Sequence, residues 1–112
     1  MKKIYGLEED IIKKIISITK KYPKLIFKLF GSRARGDFKT TSDIDIAIFE
    51  EVNRDIEYKI RDDFDKLEII YKIDLVFVNN KTNIELLESI KRDGVDLQWK
   101  DMKKEKKTFQ KL

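Results

Sequence analysis

Cysteine and histidine are both absent from this 112-residue chain. Without cysteine there is no disulfide, no thiolate and no zinc finger. Without histidine there is no imidazole base, no Ser-His-Asp triad and no zinc hydrolysis built on imidazole ligands. Acid–base chemistry, if any, falls to carboxylates, lysine, tyrosine or solvent. Proline occurs once and glycine four times, and neither an internal repeat nor an interdomain linker interrupts the chain. No apolar run approaches the length of a membrane span. The opening MKKIYGLEED lacks the apolar core of a signal peptide. A cytoplasmic protein with no membrane partner is therefore expected, and the sequon Asn80-Lys81-Thr82 carries no weight without secretion.

What is present is charge and a sufficient core. Apolar residues make up 41% of the chain and charged residues another 41%, which suits one small domain with an ion-dense surface. The charge is unevenly placed. The segment from Lys100 to Leu112 holds six lysines against Asp101 and Glu105, a net +4 that equals the charge of the whole chain. Residues 1–99 are thus neutral in sum, and direct nucleic-acid binding is not expected. The division is a folded domain over 1–99 and a lysine-rich tail over 100–112, the tail being either a solvated terminal helix or a docking arm.

Apolar spacing supplies the elements. Leu7, Ile11, Ile15, Ile18 and Tyr22, widened by Ile12 and Ile16, mark a helix that Pro23 should end. Strands are expected over 24–30, 43–49 and 72–78, with a helix from Asn53 to Tyr71 carrying Ile56, Ile60, Phe64, Leu67 and Ile70 inward. A capping box at Thr82–Glu85 should open a helix that buries Ile84, Leu87 and Ile90 and ends at Gly94. Val95, Leu97 and Trp99 suggest a short last strand. The order α-β-β-α-β-α-β predicts an α/β (α+β) domain: a small mixed sheet flanked by helices.

The segment LFGSRARGDFKTTSDIDIAIF, residues 29–49, carries the chemistry. Gly31 and Gly36 have the glycine spacing of a phosphate-binding P-loop, but Asp37 and Phe38 stand where Lys and Ser/Thr are required, which excludes that motif. A Gly-Ser turn after a strand remains. Gly31 permits close backbone approach to a phosphate, Ser32 adds a hydroxyl, and Arg33 and Arg35 offer charge to a triphosphate or to a partner surface. Such a turn can also be no more than a turn. Ten residues further on, Asp43 and Asp45 fall on one face of a strand whose other face is Ile44, Ile46 and Ile48. Aspartate is depleted in strands, and neighbouring carboxylates repel unless a cation or a proton intervenes. Oxygen ligands of this kind suit magnesium held together with substrate phosphates. Asp74, flanked by Ile73 and Leu75 in the next strand, joins them if the two strands pair in register. Three carboxylates can hold two metal ions, one activating the attacking oxygen and one steadying the leaving pyrophosphate.

Gly31-Ser32, ten residues, Asp43-x-Asp45 and a later strand Asp74 together resemble the nucleotidyltransferase fold of the DNA polymerase β superfamily. More narrowly, GSRARG followed by SDIDIAIF is similar to the minimal nucleotidyltransferase (MNT) family, whose members act as antitoxins to HEPN ribonuclease toxins. The resemblance runs from the leading helix through IDLVFV to LLESIKRDGVDL. It implies transfer of AMP from ATP to a tyrosine of the partner toxin. Gly31 and Ser32 would hold the triphosphate, and Asp43, Asp45 and Asp74 would ligate magnesium and carry catalysis. Residues 37–41 and the lysine tail fall outside the motifs.

Size also favours a partner, because the expected sheet and helices consume nearly the whole chain and leave no second domain for an acceptor. The leading expectation is therefore a magnesium- and ATP-dependent protein adenylyltransferase acting as an antitoxin. A binding module that neutralises its toxin by sequestration is the alternative from another class. Nucleotidyl transfer to RNA or to a small molecule is a third.

Overall fold

The computed structural model describes residues 3–102, and most of the lysine-rich tail, 103–112, lies outside them. Periodicity missed the first motif. β1 (Lys3–Ile4) and β2 (Leu7–Glu8) pair antiparallel across Tyr5 and Gly6, which hold positive φ values of 55° and 74°. Two consecutive left-handed residues are what a two-residue hairpin turn requires. Leu7 consequently belongs to a strand, although it is buried as expected. Helix α1 (Glu9–Thr19) follows, burying Ile11, Ile12, Ile15, Ile16 and Ile18. It ends before Pro23, in turns closed by Lys21 N–H to Ile18 O and Tyr22 N–H to Thr19 O, both 3.0 Å.

Four further strands form the sheet that positions the acids. β3 (Ile26–Phe30), β4 (Ile44–Phe49), β5 (Ile73–Phe77) and β6 (Val95–Asp96) lie in the order β5-β4-β3-β6. β3 is antiparallel to β4 and to β6, whereas β4 and β5 are parallel. The expected mixed sheet flanked by helices is what forms. Strand alternation divides its residues between two layers. Phe27, Leu29, Ile44, Ile46 and Ile48 pack in the main core with α1 and with Ile60 and Phe64 of α3 (Arg54–Asp65). Ile44, Ile46 and Ile48 are wholly buried, and each contributes about 1.5–3 kcal/mol of burial free energy. Phe30 and Ala47 face the other way, where Ile90 and Leu86 of α4 (Ile84–Asp93) cover them together with Val76.

Two helix expectations and one strand expectation change. α3, capped by the Asn53 side chain accepting from Ile56 N–H at 2.9 Å, stops at Asp65 instead of continuing to Tyr71. The chain must turn there to enter β5, so Ile69 and Tyr71 pack against the core while Ile70 is 90% exposed. In α4 the cap is Asn83, accepting from the N–H groups of Glu85 and Leu86, and Thr82 instead bonds Asn79 N–H. Ile84 consequently sits in the first turn, 69% exposed, and Leu86 joins Ile90 on the sheet. Gly94 does end this helix; a Cβ there would strike the Ile90 carbonyl. Trp99 opens a short helix, α5 (Trp99–Met102), rather than closing a strand, and Met102 reaches the main core. Among the described residues no helix is long and apolar enough to cross a membrane.

Candidate active site

The glycine-serine segment is a helical turn, α2 (Gly31–Arg35), entered directly from β3. Gly31 holds φ +78°, and a Cβ at that position would collide with Asp45 Oδ2. Glycine is thus needed twice over, for the backbone angle and for the close approach of the carboxylate. Gly36 ends the turn at φ +99° with its N–H on Ser32 O at 2.8 Å. Nothing lies within 4 Å of a Cβ placed there, so only its backbone angle calls for glycine.

Antiparallel pairing sets Phe30 opposite Asp45, and parallel pairing sets Asp45 opposite Asp74. Register partners in a sheet project to the same face, so the end of β3 and the starts of β4 and β5 bring the glycine turn and two acids together. Asp43 precedes β4 and remains partly buried. Its electrostatic effect reaches the pair: burial, then the charges of Asp74 and Asp43, push the Asp45 carboxyl up from its ordinary value, while Arg35 pulls it down. Arg35 is half-exposed and forms an ion pair with Asp37 at 3.3 Å. Lys72, which sequence reasoning passed over, lies 3.7 Å from Asp74 Oδ1; its place two residues before Asp74 in an extended segment was the available signal.

The donor set is wholly carboxylate, and Asp43 and Asp74 act together on the partly buried Asp45. That chemistry fits a hard divalent cation. As placed, the side chains do not form a ready cage: among the described residues no three acids stand together as a metal-holding group. Asp45 and Asp74 are abreast, and Asp43 stands ahead of them. A groove of about 520 Å³ between the end of α3 and β5 borders Asp74, whereas the larger groove of about 660 Å³ runs between Tyr22, Ile26 and Trp99 and includes none of these acids.

Arg33 departs from the expectation that it faces a triphosphate. Its side chain is fully buried. The guanidinium donates to Ser42 O at 3.0 and 3.2 Å, to Tyr5 O at 3.1 Å and to Thr40 O at 3.3 Å. Phe38 and Tyr71 place their rings 5.2 and 4.8 Å from its central carbon. Burial lowers its pKa, with Tyr71 and Asp43 acting in the opposite direction. A guanidinium so enclosed has no surface to offer a nucleotide. Sequence spacing could not reveal this, because Tyr5 and Tyr71 are remote along the chain.

Comparison with known proteins bears on the family and the fold. The sequence model described as Polymerase beta, Nucleotidyltransferase matches residues 13–103. No curated protein matches the chain significantly. Among solved structures, one chain from a crystal structure of a toxin-antitoxin with AMP-PNP is 25% identical, with a TM-score of 0.59 over 88% of this chain and 86% of that one. Another, from a MntA-HpeT toxin-antitoxin carrying a tyrosine-to-alanine substitution, is 26% identical, with a TM-score of 0.57 over 77% of this chain and 70% of that one. The chain resembles these at the level of the whole domain.

Proposed function

We propose that this chain, which belongs to the Polymerase beta nucleotidyltransferase family, is a magnesium-dependent antitoxin that transfers AMP from ATP to a tyrosine of a HEPN-type toxin. The observation that carries the reading is the placement of Gly31 against Asp45, with Asp74 as the register partner of Asp45. Likeness to chains from toxin-antitoxin structures, one of them with AMP-PNP, supports both the kind of partner and the nucleotide.

In this reading the Gly31-Ser32 backbone and the Ser32 hydroxyl bind the triphosphate. Arg35, close enough to influence Asp45, adds charge to the phosphates. Asp43, Asp45 and Asp74 would hold two magnesium ions, which when bound supply Lewis-acid stabilisation of the attacking and leaving oxygens. Asp74, whose side chain is 45% exposed, orients the acceptor hydroxyl and takes its proton. The acceptor oxygen bonds to the α-phosphorus as the α–β phosphoanhydride bond breaks, and pyrophosphate leaves. Carboxylates do the work that histidine would do elsewhere, because the chain contains none.

Incubation of the toxin encoded beside this chain with the chain, ATP and Mg2+ should yield toxin heavier by one or more AMP units, carried on tyrosine. Unmodified toxin under those conditions, with the chain folded and bound to it, would refute transfer. Sequestration is the second reading. It is favoured by the acids standing apart from a closed metal cage, and it requires stoichiometric protection without added mass. The division into a nucleotidyltransferase domain over 1–99 and a tail from 100 is retained as part of the proposal, although Met102 of α5 still packs in the core.

A further inference from the structure

Arg33 is a buried cation that Asp43 favours only through space, without a direct carboxylate contact among the described residues. Among the described residues its side chain makes no ion pair. Removing a guanidinium from water is costly even after relaxation, so a residue used only to fill this space would be better apolar. Its contacts show what the charge is used for. Two of its nitrogens bond Ser42 O, the carbonyl of the peptide that leads into Asp43. One ring stacked on it is Tyr71, followed directly by Lys72, whose carbonyl accepts from Ile44 N–H at 2.9 Å just ahead of β5. A third contact holds the Tyr5 carbonyl of the first hairpin, and Gly6 there is packed so tightly that a Cβ would meet both Phe38 and Arg33. Arg33 itself belongs to the turn that begins Gly31-Ser32. One buried side chain therefore touches the nucleotide turn, the approach to Asp43 and the approach to Asp74.

We propose that Arg33 is a positioning residue of the active site: from inside the core it fixes the Ser42–Asp43 peptide and the Tyr71 lead-in to β5, and so sets Asp43 relative to Asp45 and Asp74. The inference rests on the nucleotidyltransferase reading above. It adds that the acids are held from behind by a cation that does not touch the nucleotide. Lysine cannot replace it, because a single ammonium cannot span Tyr5, Thr40 and Ser42 while also keeping contact with two rings.

The test is a double-mutant cycle on the full chain, with Mn2+·AMP-PNP as the probe and its dissociation constant read by electron paramagnetic resonance. Folding is checked by circular dichroism. Arg33→Lys should weaken binding by about 10- to 100-fold, the range seen when groups supporting metal ligands are removed. In an Asp43→Asn background most of that loss should vanish, because the carboxylate that Arg33 positions is gone. Hydrogen exchange at 42–44 and 71–74 should quicken in Arg33→Lys. If that variant does not fold, Tyr71→Leu, which removes one stacking ring, enters the same cycle and should show a smaller loss that Asp43→Asn likewise cancels. Losses that simply add, or a folded variant with unaltered binding and exchange, would overturn the inference and leave the proposed function standing. Failure of the wild-type chain to bind Mn2+·AMP-PNP would overturn the function itself and this role with it.

Discussion

Asp45 of β4 and Asp74 of β5 are direct partners in a parallel register, and the Asp45 carboxylate lies where a side chain on Gly31 would otherwise stand. Burial and two neighbouring acids disfavour its charge. In the absence of a cation this arrangement opposes stability.

Replacing either of the first two acids should therefore separate activity from stability. Asp45→Asn and Asp43→Asn keep the shape and remove charge, so AMP transfer should fall to background. The metal-free Asp45→Asn protein should melt at the same temperature as wild type or slightly higher, since a repelling charge is gone. Labelled-ATP incorporation beside calorimetry in a chelator decides this. A folded double mutant with full activity would remove both acids from the mechanism.

The two glycines of the turn should respond differently. Gly31→Ala and Gly36→Ala each force alanine to a left-handed angle, at about 1–2 kcal/mol. Only Gly31→Ala also drives a methyl into Asp45, whereas the methyl at 36 enters open space. Both variants should lose stability in denaturant melts. AMP-PNP affinity should collapse for Gly31→Ala and change little for Gly36→Ala. Equal affinities would mean that the Gly31–Asp45 approach has no part in binding.

Asp74→Asn distinguishes catalysis from sequestration. The variant keeps Asp43, Asp45 and the glycine turn, so it should retain nucleotide and toxin binding while failing to modify the toxin. Titrating toxin activity against the variant, followed by mass spectrometry, reads both properties. Full, stoichiometric neutralisation by Asp74→Asn with no added mass in either sample would establish sequestration.

A pH effect unrelated to the acids is expected at Tyr22. Its hydroxyl bonds Asp63 Oδ2 at 2.5 Å. Burial first, then that bond and the charges of Asp63 and Asp62, push its pKa up to about 12 from an ordinary 10.0. The folded state holds this proton more tightly than the unfolded chain. The stabilisation is thus complete below the unfolded value and is lost as pH rises through the folded one. Wild-type melting temperature should decline more steeply than that of Tyr22→Phe between pH 10 and about 12. Parallel declines, with tyrosinate absorbance showing ionisation at an ordinary pH, would contradict the Asp63 bond.

Local rules account for much of this protein. Alternation in Ile44–Phe49 declared a strand with one apolar face and put Asp43 and Asp45 on the other, because side chains two apart must share a face. The same rule set Asp74 in phase with Val76. With histidine and cysteine absent, acid–base and metal chemistry falls to oxygen and amine groups whatever the fold, and carboxylates are the metal ligands among them.

Other features depended on contacts between distant residues. Parallel pairing of β4 and β5 made Asp45 and Asp74 neighbours, and pairing register is a property of two segments together. The end of α3 at Asp65, the exposure of Ile70 and the inward turn of Tyr71 followed from the path into β5, not from periodicity. Arg33 is the plainest case. In the sequence it is one of two arginines in a Gly-Ser turn, while in the fold Tyr5, Phe38, Ser42 and Tyr71 enclose it. Residue type and spacing determined which groups this chain can use for chemistry. Tertiary packing alone decided which cation meets solvent and which is held within, because burial is set by all the segments that close around a side chain.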